Sequence, residues 1–198
     1  VSQNVTITID AEAEIKEIIK KLDTLHDKAP SVLKNAINAT ARKVRTQMIK
    51  DAQSRYVVKD KGALKNEAKG GPKVYTARVT NLEAEIKSKG SMQDIMAFMT
   101  KPNTQAGAAA ARVLNSGSFK ALEVSGLKAF VATFKSGHQA IVQRKGKDRL
   151  PVKKLLSPAI PIMLGSEEIS SKAEKLAYEV LQEEIQKRID KINDTSTW

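Results

Sequence analysis

Nucleophilic and metal chemistry have little to work with in this sequence. The 198 residues include no cysteine and two histidines, His26 and His138. A thiolate nucleophile and a thiolate metal site are therefore excluded. The chain contains no G-x-S-x-G, no H-E-x-x-H, no G-x-x-x-x-G-K-[ST] and no G-x-G-x-x-G, the spacings that expose a serine, bind zinc or cradle phosphates. His26 reads as the edge of a helix stripe, and His138 follows a turn where a backbone hydrogen bond explains it. Glu183 and Glu184 are adjacent on a predicted helix, so their carboxylates diverge and a solvated face accounts for them. The residues imply no catalytic group, no metal ligand set and no cofactor.

One stretch does concentrate a chemistry. RKGKDRLPVKKLLSPAIP, residues 144–161, carries Arg144, Lys145, Lys147, Arg149, Lys153 and Lys154 with Asp148 as its one acid. These cations suit phosphates read without sequence specificity, or an acidic protein surface. Pro151 drives Leu150 toward extended backbone and can open a short helical turn. Val152, Leu155 and Leu156 would then share one face while Lys153 and Lys154 point elsewhere. Pro158 would end the turn and Pro161 keep the exit extended. The prediction is a preordered strap, with a docking underside formed by Leu150, Pro151, Val152, Leu155, Leu156, Pro158 and Pro161 and with a basic top. Pre-ordering lowers the entropy cost of docking onto protein. A rigid connector between a sheet and the final helix explains the same prolines.

The charge of the whole chain repeats the theme. Net charge is +12; residues 31–165 hold 25 basic and 8 acidic side chains, a net +17, while residues 1–30 stand at −2 and 166–198 at −3. Such a field favours a polyanion or an acidic protein, or else self-assembly with the acidic ends of one copy against the basic middle of the next. Aromatic residues make up 4% and are not interleaved with the cations, which argues against stacking platforms for single strands. No zinc-finger or aromatic RNA-binding motif is present. Nonspecific duplex contact stays open, so a basic nucleic-acid-binding protein is one reading of the chain.

The elements that must position these residues follow from periodicity. VTITID alternates and reads as a short strand or extended arm, with Asp10 able to cap a helix over residues 11–28 whose stripe is Ile15, Ile18, Ile19, Leu22, Leu25 and Ala29. Pro30 would end that helix and Ser31 cap the next. Leu33, Ile37, Ala41, Val44, Met48 and Ala52 predict a helix to about Arg55, with Lys34, Arg42, Lys43, Arg45 and Lys50 on its solvent faces. KVYTARVT and LEAEIKSK read as adjacent antiparallel strands, with Leu82, Ala84 and Ile86 facing in and Glu83, Glu85 and Lys87 facing out. Residues 91–100 fit helix or strand equally, and QAGAAAARVL has no clear placement. LKAFVATF and HQAIVQR form a hairpin around Ser136-Gly137; the first, apolar on both faces, is expected at the sheet centre. A final helix begins after Gly165-Ser166, with Glu167 and Glu168 at its start and Lys187, Arg188 and Lys191 at its end. Its stripe includes Leu176, Val180, Leu181, Ile185 and Ile189. At about 40 Å it looks too long for one core to cover, which makes those five residues candidates for an intersubunit contact.

The expected class is α+β: an antiparallel sheet packed with helices and finished by a long C-terminal helix. Three segments are expected, an N-terminal arm and amphipathic helix (1–30), a basic α+β core (31–165) and the C-terminal helix (166–198). The opening residues do not read as a signal peptide. No run approaches the roughly 18 apolar residues of a membrane span, so no membrane partner is expected.

FVATFKSGHQAIVQRKGKDRLPVKKLLSPAIPIML, residues 130–164, resembles the minor tail protein Z family of tailed phages and prophages. The likeness lies in the aromatic-containing strand, the Gly137-His138 turn, the apolar strand ending in basic residues, Arg149-Leu150-Pro151-Val152, Leu156-Ser157-Pro158 and Ile160-Pro161. A looser likeness reaches back through the long basic helix, residues 56–58 and GSMQDIMAF. The resemblance implies a structural tail-completion protein at the head-proximal end of the tail, acting in tail maturation and tail-to-head joining. It implies a homo-oligomeric ring, commonly sixfold, around the DNA channel. Tail terminator, tail tube and neck or connector proteins would be its neighbours, and genomic DNA would lie within reach. The implied location is the virion, after assembly in the host cytoplasm. The family pattern names no catalytic residues.

Overall fold

The computed structural model describes residues 2–10, 28–102 and 108–195. The helix expected over 11–28 falls almost wholly outside them, as does His26. Helix α1 (Ala29–Arg55) has Pro30 in its first turn. A first-turn residue leaves its N–H unbonded and proline has none to lose, so Pro30 suits the opening of this helix. Ser31 accordingly lies inside α1 and is not its cap. Leu33, Ile37, Ala41, Val44, Met48 and Ala52 are buried along one line, as their spacing predicts.

Strands β1 (Gln3–Asp10), β2 (Lys73–Tyr75) and β3 (Glu83–Gly90) form an antiparallel sheet in the order β1-β3-β2. β1 pairs with β3 without a break from Gln3↔Gly90 to Asp10↔Glu83, placing Ile7 opposite Ile86 and Ile9 opposite Ala84. These four side chains are buried, the inward half of a period-2 pattern. Asn38 ties α1 to the segment between β2 and β3. Its Nδ2 donates to the Ala77 carbonyl at 3.1 Å and its Oδ1 accepts from the Ala77 N–H at 2.7 Å.

A second group of antiparallel strands follows. It comprises β4 (Gln93–Asp94), β5 (Met99–Lys101), β6 (Ala110–Arg112), β7 (Lys120–Ala121), β8 (Glu123–Val124), β9 (Leu127–Lys128), β10 (Phe130–Thr133), β11 (Gln139–Arg144), β12 (Val152–Lys154) and β13 (Leu156–Ser157). Residues 91–100 resolve into extended chain around one 3₁₀ turn, Ile95–Ala97, whose start Asp94 caps by accepting from the Met96 N–H. Within the alanine-rich run, Ala110–Arg112 is β6; residues 105–107 lie outside the described residues. The expected β10–β11 hairpin is present, Phe130 opposite Val142, but the sheet order is β10-β11-β12. β10 is thus an edge and β11 the centre. Apolar character on both faces fits either strand; the pairing of β12 with β11 decides between them, and Ala140 to Gln143 are the residues buried in sequence.

The chain then enters α2 (Ile160–Leu164) and α3 (Glu167–Thr195). α3 runs antiparallel to α1: Arg55 at the end of α1 pairs with Glu168 at the start of α3, and Lys43 pairs with Glu184 further along. The stripe expected to meet another chain is covered within this one. Val180, Leu181, Ile185 and Ile189 are buried, and Leu176 packs half-buried against the main core. The helix is not too long for one chain to cover, because α1, at 27 residues, lies alongside the 29 residues of α3. Lys187, Arg188 and Lys191 do not sit in the last turn, which holds no basic residue because the helix continues to Thr195.

The class is α+β with antiparallel sheets and a long C-terminal helix. One large core joins β1, β3, α1, α2 and α3 through Ile7, Leu33, Ile37, Met48, Ile86, Ile160, Leu164 and Leu181, and takes in Phe98 from just before β5. Ile7, Ile9 and Ala29 near the start of the chain and the stripe of α3 therefore share a core with the residues between them. A smaller core, Ile95, Ala109, Ala111, Ala129, Val131 and Ile141, lies within the β-rich lobe.

Candidate docking surface

β11 and β12 make a hairpin with the ladder Val142↔Lys154, Gln143↔Lys153, Arg144↔Val152. The Lys145 N–H donates to the Pro151 carbonyl at 3.0 Å and closes its neck. Residues 146–150 form the tip, and the Leu150–Pro151 peptide is cis. The helical turn expected at 152–156 does not form. Its backbone is taken up by neighbouring strands: the Leu155 N–H donates to Ile141 at 2.9 Å, the Leu155 carbonyl accepts from Ile95 at 3.3 Å, and β13 pairs with β4. A turn of helix would forfeit these buried bonds, which outweighs the local preference of Pro151.

Extended backbone sends successive side chains to opposite faces, so the expected apolar underside is divided. Leu155 turns inward and packs half-buried against the small core. Leu156 is 51% exposed and Leu150 69% exposed. Val152 and Pro158 are half-buried, Pro151 is exposed and Pro161 is buried. Pro161 does not extend the exit; it stands in the first turn of α2 and packs over Gly70 and Gly90. A Cβ on Gly70, whose φ is +100°, would lie 3.2 Å from the Gly90 Cα, and one on Gly90 would lie 3.4 Å from Pro161 Cδ. The segment is thus a connector between the two cores, and its hairpin tip is the part left free.

The cations divide in the same way. Lys154 Nζ lies 2.8 Å from Asp94 Oδ2 and 3.4 Å from His138 Nε2. His138 Nε2 is 3.9 Å from the same carboxylate oxygen, and its ring stacks on Phe134 at 6.2 Å between centroids. Arg144 lies over the Phe130 ring at 5.8 Å, a cation–π contact. Lys145, Lys147, Arg149 and Lys153 are exposed and enter no ion pair among the described residues. The hairpin therefore presents a compact positive charge of four unpaired side chains, with Asp148 among them.

Glu184 departs most from its sequence reading. Its carboxylate is 8% exposed, with Lys43 Nζ at 2.7 Å from Oε1 and Arg188 on Oε2. Hydrogen bonds from Lys43 and then Arg188 outweigh desolvation and hold its pKa down, from 4.5 to about 2. Neither contact is visible from the Glu183-Glu184 pair alone; the signal in the sequence is Arg188 at i+4. Next to this cluster, a cleft of ≈ 440 Å³ is lined by residues including Val32, Asn38, Arg42, Arg188 and Ile192. Among the described residues, no three His, Asp or Glu side chains are grouped to hold a metal ion, and no helix is long and apolar enough to cross a membrane. No family model, curated protein or solved structure matches the chain.

Proposed function

We propose that the chain is a structural tail-completion protein of the minor tail protein Z kind. It would form a ring at the head-proximal end of a phage tail and take part in tail maturation and tail-to-head joining around the DNA channel. The observation that carries the reading is that residues 130–164, which hold the family-like pattern, run from the β10-β11-β12 sheet on the small core through β13 to α2 on the large core. That segment bridges both cores and displays an unpaired cationic tip, an arrangement suited to gripping a partner surface. It works by binding, with no catalytic step. A joining assay provides the test. Heads and tails assembled without this chain should stay separate and join when the purified protein is added, and Leu155→Asp should abolish rescue. Full joining without the protein would refute the proposal.

The four free cations at the hairpin favour a second reading, a basic protein that binds duplex nucleic acid without sequence preference. Duplex affinity falling steeply with salt, together with no effect on joining, would select it.

A further inference from the structure

Among the described residues, the two most exposed large apolar side chains lie in regions of opposite charge. Leu150, 69% exposed, sits at the cationic tip, and Tyr178, 64% exposed, lies on α3, in the acidic C-terminal segment. Glu167, Glu174 and Tyr178 recur at i, i+7 and i+11, which places them on one face of the helix. Glu168 pairs with Arg55 and Lys172, Glu179 with Lys175, and Glu184 with Lys43 and Arg188. Glu167 and Glu174 are exposed and have no ion-pair partner among the described residues.

We propose that the β11–β12 hairpin of one copy docks on this face of α3 in a second copy. Lys147 and Arg149 would meet Glu167 and Glu174, and Leu150 would cover Tyr178. Each patch carries an apolar anchor beside a net unpaired charge, positive at the hairpin despite Asp148 and negative on α3, and the net signs are complementary. Long-range attraction steers the encounter, and the apolar pair loses water on contact. The patches are different surfaces, so the contact is head-to-tail and closes into a ring when the rotation permits. It supplies the subunit interface of the ring proposed above and rests on that reading.

Sedimentation velocity of the full chain at low and high salt tests the contact. We expect association at low salt, weakened about tenfold or more by Lys147→Glu with Arg149→Glu, and equally by Glu167→Lys with Glu174→Lys. Combining all four changes should restore it. Leu150→Ser should weaken association while leaving its salt dependence intact. If a reversal variant loses its circular dichroism signature, Lys147→Gln with Arg149→Gln must still weaken association in the same direction. Monomers at low salt, unchanged association in the reversal variants or no recovery in the combination would each overturn the contact. So would loss of duplex DNA binding with self-association intact, which assigns the hairpin to DNA. Charge-dependent association without any effect on tail joining would leave the contact standing and remove the ring's assigned role. Joining that survives the reversals, with association unchanged, would do the opposite.

Discussion

The helix–sheet layer and the β-rich lobe are stabilised differently. The layer buries long side chains between α1, α3 and the β1-β3-β2 sheet, among them Leu33, Ile37, Met48, Ile86 and Leu164. The lobe's small core is half alanine and holds no side chain larger than isoleucine. Apolar burial contributes about 25 cal/mol per Å², so the layer gains most from side chains and the lobe relies more on its ladders and on bonds such as Leu155 to Ile141. The lobe also carries the cationic hairpin and exposed Phe134, Leu150 and Leu156. Burial of large side chains is concentrated in the layer, and the exposed cationic hairpin belongs to the lobe.

Substitutions in the two regions should separate on this ground. Ile37→Ala in the layer should cost about 4 kcal/mol, the upper part of the range for a fully enclosed isoleucine, and lower the single unfolding midpoint in denaturant. Ile141→Ala in the lobe should cost about 2–3 kcal/mol and raise amide exchange in β10–β12 more than in α1. Equal exchange increases in both regions would mean that the two cores unfold as one.

Glu184→Gln, which weakens the tie between the helices, should cost about 2 kcal/mol, the scale of a charge-assisted hydrogen bond. Its pH dependence has a defined sign. The carboxylate titrates near 4.5 when unperturbed and near 2 when folded, so the folded state favours the charged form. Its contribution is complete above about pH 4.5 and declines as pH falls toward 2. Stability measured from pH 6 to 2 should fall less steeply in Glu184→Gln than in the parent; parallel curves would show that the Lys43 and Arg188 contacts are absent in solution. The smallest effect belongs to Lys154→Ala in the lobe. Its bridge to Asp94 is solvent-exposed on the lysine side, so its loss should cost about 0.5 kcal/mol or less, and added salt should reduce the difference.

What could be read in advance follows the range of the interactions. The α1 stripe, the inward alternation of β3 and the β10–β11 hairpin are set by neighbours a few residues apart, and each is present where its pattern placed it. The candidate docking surface was only partly legible. Residues 144–154 announced their charge, yet the prolines around them pointed to a helical turn that partner strands replaced. Tyr178 carried no signal, because an aromatic residue on a helix is exposed or buried according to what packs beside it.

The sequence by itself determined the α+β class, the basic middle between acidic ends and the lack of nucleophile and metal motifs, since these depend on composition and local period. Only the tertiary structure decided that β11 is the central strand, that Glu184 is a buried partner of Lys43, and that the stripe of α3 is covered by its own chain. Each of these depends on which distant segment claims a hydrogen bond or an apolar face, and residues such as Lys43 and Glu184, 141 positions apart, meet only once the whole chain has packed.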